Sequence, residues 1–117
     1  MSPLATEIYK QLLRRLRGSQ TSISYGQLAA AVSETIETHH RSPQFHAALT
    51  EVSQACREHE LPCLPAVVWN ARLHRPSDGY YPVAHPRART EKSRVAAWEH
   101  EHARVVKEAA RFPRVLP

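Results

Sequence analysis

The sequence predicts a small α+β domain, and three observations carry that reading. Apolar residues recur at helical spacing near both ends of the chain. A helix bracketed by prolines is legible in the middle, and a short β-type run, "AVVW", precedes a cluster of turn residues. At 117 residues the chain is about one domain long, enough for a single modest core. Apolar residues make up 42% and charged residues 23%, the proportions of a globular chain rather than a disordered one.

The first helix is expected over residues 3–17. Leu4, Ile8, Leu12 and Leu16 form its stripe, and Tyr9 and Leu13 widen it. Pro3 suits the first helical position and Gly18 the position past the end. Lys10, Arg14, Arg15 and Arg17 lie outside, with no acid among residues 10–17. "SQTSIS" reads as a short extended piece and "YGQLAAAV" as a second helix over 25–32, with Leu28 and Val32 inward. "SETIETHHR" fits either an extension of that helix or a loop.

A third helix is expected over 43–59, capped by Ser42, opened by Pro43 and apolar at Phe45, Leu49, Val52 and Cys56. The prolines of "ELPCLP" stop it. "AVVW" and a second strand at Tyr80-Tyr81 would form a hairpin over 66–82, turning at Pro76, Ser77, Asp78 and Gly79. "HPRAR" links it to a last helix over 90–111, striped by Val95, Trp98, Val105, Ala109 and Phe112 and ended by Pro113. The expected core includes Leu12, Leu16, Leu28, Phe45, Leu49, Val52, Val67 and Trp98. Three helices followed by a hairpin is the plan of a winged helix-turn-helix, here one domain over residues 1–117. Gly26 would permit close approach at the first corner, and "RLHRPSDG" would be the wing.

Net charge is +5 and the pI near 9.7, compatible with nucleic acid, an anionic surface or an acidic protein partner. Two cysteines, Cys56 and Cys63, form no CxxC pair and fit a reducing compartment. No signal peptide and no bilayer-length apolar run is visible, so a cytoplasmic protein without membrane contact is expected. The eight histidines show neither HExxH nor finger spacing, and His100 and His102 at i,i+2 diverge around a helix. His102 instead falls on the apolar stripe of the last helix, at the edge of the core. No glycine-rich phosphate loop exists, and neither metal nor cofactor is expected.

"ISYGQLAAAV" resembles the start of the C-terminal DNA-binding domain of alkylguanine-DNA alkyltransferases and their catalytically silent alkyltransferase-like relatives. "LPCLPAVVW", followed by a turn and "GYY", resembles the region where that family carries Pro-Cys-His-Arg-Val-Val and a Gly-Tyr wing. The similarity spans roughly residues 20–83 and implies a winged-helix fold that binds duplex DNA. One departure matters. The family's nucleophilic cysteine is followed by histidine, whereas Cys63 is followed by Leu64 and Pro65; aligning on Val67-Val68 instead puts Leu64 in the cysteine position. Neither register gives the Cys-His pair that makes thiolate, so no alkyl transfer is expected.

The function expected is therefore non-enzymatic contact with the phosphates of double-stranded DNA through a basic wing. Arg72 and Arg75 on the wing and Arg41 at the head of the third helix would meet phosphates. Tyr25-Gly26-Gln27 would start the second helix close to the phosphate backbone, where Gln27 and the hydroxyls of Ser22 and Ser24 would donate to phosphate. His46, Thr50 and Arg57 would face the bases, although Glu51 and Glu58 on the same helix would repel phosphates. The alternative is an adaptor or inhibitor that uses the same scaffold to bind a protein.

Overall fold

A computed structural model describes residues 1–116. Helix α1 spans Pro3–Arg17: Ser2 caps it by accepting from the Ala5 N–H, and arginines crowd its last turn, where the helix dipole favours cations. Strand β1, Ile23–Ser24, leads directly into α2, Tyr25–Ser33. The disputed segment after it is a loop, and α3 follows over Pro43–Glu58, with Ser42 accepting from the Phe45 N–H. Helix α4, Tyr80–Ala84, and the long α5, Glu91–Lys107, complete the regular elements beside short 3-10 turns at Leu64–Val67 and Ala109–Arg111.

The architecture is helix-rich α+β with one two-stranded sheet. All eight expected core residues are buried, in one cluster where α1 packs on α2 and α3. Trp98 ties α5 to this core, its indole N–H donating to the Ala66 carbonyl at 2.8 Å. His102 stacks on Trp98 and donates to the Thr21 carbonyl at 2.6 Å, the core-edge role its place on the stripe suggested. Among the described residues no helix is long and apolar enough to cross a membrane.

The hairpin expected over 66–82 does not form. Strand β2 is only Val68–Trp69, and it pairs in parallel with β1, Ile23 opposite Val68 and Ser24 opposite Trp69. Tyr80-Tyr81 lies in α4 instead: Pro82 has no N–H for a ladder, and both tyrosine rings are buried edge to face at 5.2 Å. The chain reverses at Ala71–His74 rather than at Pro76–Gly79. A single antiparallel bridge between Asn70 and Arg75 closes that turn. The Asn70 side chain accepts from the N–H groups of Arg72 and Leu73, and His74 takes the left-handed φ of 56°. The last helix ends at Lys107, not at 111.

Candidate nucleic-acid interface

The first turn of α2 is where the candidate residues converge. Ser24 caps the helix by accepting from the Gln27 N–H at 3.1 Å, and the Gln27 side-chain oxygen accepts in turn from the Ser24 N–H. This reciprocal box fixes the corner where strand becomes helix. Two of the three groups expected to reach phosphate, Ser24 and Gln27, hold the helix start as acceptors, and the Ser24 hydroxyl and the exposed Gln27 amide keep spare donors. Gly26 does not serve close approach, since a Cβ there would meet only His40 Nδ1, at an ordinary 3.9 Å.

Tyr25 joins three segments. Its hydroxyl accepts from the Ser77 N–H at 2.9 Å and from the Ser77 hydroxyl at 3.1 Å, pinning the loop after the 70–75 turn. Its ring lies 5.7 Å from that of His46 on α3. Burial raises the phenol pKa above its ordinary value, so the group stays protonated. His46 donates to the His40 carbonyl at 2.7 Å, and the His40 ring stacks on His39 at 4.4 Å. Partial desolvation and the neighbouring His39 and Arg41 hold the His40 pKa below its ordinary value. Ser77 carried no sequence signal for this role, because its partner Tyr25 lies 52 residues away in the chain.

The acids of α3 are less obstructive than the sequence suggested. Glu51 accepts a hydrogen bond from the Ser2 N–H and so turns toward the start of α1. Helical geometry places Glu58 on that same edge, while His46, Thr50 and Arg57 share the opposite edge. Tyr25, His46, Thr50, Ser53, Ser77 and Tyr80 line a cleft of about 60 Å³ there. That is well below the roughly 300–1,000 Å³ of a small-molecule pocket, so the cleft is a seam between elements.

The expected arginines separate into two groups. Arg41 and Arg72 are exposed, and their guanidinium groups have no partner among the described residues. Arg75, by contrast, is tied to Glu91 at 2.5 Å, and Arg57 donates to the Val83 carbonyl at 2.7 Å, closing the end of α4. These two tethers share one cause. A guanidinium finds a carboxylate or an orphan carbonyl whenever the fold brings one within reach, and neither Glu91 nor Val83 is near in sequence.

Cys63 is buried between α3 and the 3-10 turn. Its thiol donates to the Ser53 hydroxyl at 3.3 Å, and burial pushes its pKa up to about 12. Cys56 is likewise pushed up to about 11 by burial. Both are thiols rather than thiolates at neutral pH, and no histidine adjoins Cys63 in sequence. Among the described residues no group of three His, Cys, Asp or Glu side chains is placed to hold a metal ion.

No family model matches the chain, and no curated protein or solved structure matches it.

Proposed function

We propose that this protein binds duplex DNA without catalysing a reaction on it, docking the open edge of α3 and the 70–75 turn against the phosphate backbone. The observation that carries this reading is the placement of unpartnered cations. Arg41 precedes α3 and Arg72 tips the 70–75 turn, both on segments gathered around the first turn of α2 by Tyr25, Ser77 and His40. The α3 carboxylate Glu51 is turned away from them. Helices α2 and α3 act as the helix-turn-helix pair, and the turn closed by Asn70 and Arg75 is a stub of a wing. The likeness of "ISYGQLAAAV" to alkyltransferase DNA-binding domains points the same way. Phosphate contacts set affinity and register, so sequence preference would come from His46 and Thr50.

The test is fluorescence anisotropy with random-sequence duplex at two salt concentrations. Arg41→Ala combined with Arg72→Ala should weaken binding equally on all sequences and lower the salt slope by about two, roughly one per lost phosphate contact. Both side chains are exposed and unpartnered, so the thermal midpoint should not move. Thr50→Ala should alter preference among sites instead. Absence of duplex binding by the wild type at low salt, or an unchanged slope in the double variant, would hand the scaffold to the protein-adaptor reading.

A further inference from the structure

A second surface lies away from the α2 corner, along the outer side of α1. There the chain's final described residues, Pro113–Leu116, run beside the helix and leave a groove of about 560 Å³. Two hydrogen bonds hold the tail in place: the Tyr9 hydroxyl donates to the Pro113 carbonyl at 2.5 Å, and Arg17 donates to the Phe112 carbonyl at 2.6 Å. The groove spans α1 from Thr6 to Arg17, about 16 Å at the helical rise.

Its chemistry is two-sided. Tyr9, Leu13 and Leu116 give an apolar floor, and Met1 and Val115, 47% and 67% exposed, add apolar walls. Lys10, Arg14, Arg17 and Arg114 stand around it, and among the described residues no carboxylate side chain lines it. Such a site matches a molecule with an apolar body and a negative head. Size decides between kinds of occupant. The volume falls within the range of small-molecule pockets, roughly 300–1,000 Å³. A standard protein interface instead engages about 20–30 residues a side, and only ten line this groove.

We propose that the groove between α1 and the Pro113–Leu116 segment binds a single-chain carboxylate amphiphile. The chain lies over Tyr9, Leu13 and Leu116, and the carboxylate is held by Lys10, Arg14 and Arg114. Arg17 is engaged with the Phe112 carbonyl and closes one end. The site is independent of DNA binding, because none of its residues belongs to the α2 corner, to α3 or to the 70–75 turn.

The experiment titrates the full chain, followed by amide chemical shifts, with decanoate and separately with decyltrimethylammonium, which has the same tail and the opposite head charge. Decanoate should bind saturably and shift Tyr9, Lys10, Leu13 and residues 114–116, and the cationic amphiphile should not. The pair Lys10→Glu with Arg14→Glu changes exposed side chains, so folding is retained. It should weaken decanoate binding roughly tenfold, the scale expected for removing and inverting two exposed charge contacts. Equal binding of the two amphiphiles, or decanoate shifts confined to other residues, would overturn the proposal. So would binding of a helical peptide with Glu on one face and Leu on the other when decanoate does not bind, which would give the groove to a protein partner.

Discussion

Helix α3 and the segment from Leu64 to Ala84 obey different rules. Everything that makes α3 a helix lies inside or beside it: the Ser42 cap on Phe45, Pro43 in the first turn, and a stripe at helical spacing. The later segment has no regular element longer than the five residues of α4. Its path is fixed from elsewhere, by Trp98 on Ala66, Tyr25 on Ser77, Arg57 on Val83 and Glu91 on Arg75. Those partners are 32, 52, 26 and 16 residues away in the chain. Residue type predicts both position and freedom where partners are local. Where they are distant, even an arginine singled out by its residue type turns out to be tethered.

The strongest way to break this contrast is to remove Trp98. Its side chain is buried and supplies the one hydrogen bond that Ala66 receives from α5. Trp98→Ala should cost about 3–5 kcal/mol, the range for deleting a large buried aromatic. Trp98→Phe keeps most of the apolar body but leaves the Ala66 carbonyl unpaired, at about 1–3 kcal/mol. In that milder variant, hydrogen exchange should quicken over residues 64–69 while α3 keeps its protection. If α3 opens together with residues 64–69, the two regions form one cooperative unit and the contrast fails.

The same contrast explains what could be read from the sequence. α1 begins and ends at the expected residues, and α2 and α3 each differ by a single terminal residue, because caps, prolines and stripes are local signals. The core was legible for the same reason. The hairpin was not: β-rich "AVVW" does form a strand, but its partner is β1, some 45 residues earlier, in a parallel pairing that no turn signal announces. Tyr80 and Tyr81 have strand propensity, yet burial against one another and Pro82 put them in a helical turn. The turn signal at Asn70 was present, since asparagine accepts from backbone N–H groups two and three residues on, but proline and glycine downstream outweighed it. For the candidate site, exposure of Arg41 and Arg72 followed from their residue type, whereas the ties of Arg57 and Arg75 depend on Val83 and Glu91, which only the fold brings near.

A smaller effect is expected at Tyr25, whose hydroxyl hydrogen-bonds the α2 corner to the loop that begins at Pro76. Tyr25→Phe removes a hydroxyl that accepts twice from Ser77 and should cost about 1–2 kcal/mol. The ring remains beside His46, so α2 and α3 should hold their positions. Exchange at Ser77 and its neighbours should rise, and DNA affinity should fall with no change of salt slope, because no phosphate contact is lost. A drop in slope would mean that the loop leaves the interface altogether when the hydroxyl is removed.

The smallest effect on stability, and the finest test of the contrast, comes from Glu91→Gln. Arg72 and Arg75 sit three residues apart in one turn, yet only Arg72 is free. The hydrogen bond from Arg75 holds the Glu91 carboxyl below its ordinary pKa, and Glu91 in turn raises Arg75. The pair is open to solvent, with the Glu91 side chain 74% exposed, so screening leaves it little weight in folding and the thermal midpoint should barely change. Its weight in binding is different. Removing the carboxylate releases a guanidinium and deletes a negative charge beside the turn. If the turn lies against the phosphates, Glu91→Gln should bind all duplexes more tightly and steepen the salt slope by about one. An unchanged slope in Glu91→Gln, with a reduced slope in Arg72→Ala, would place only the tip of the turn on the backbone. If neither variant moves the slope, the turn is not part of the proposed interface.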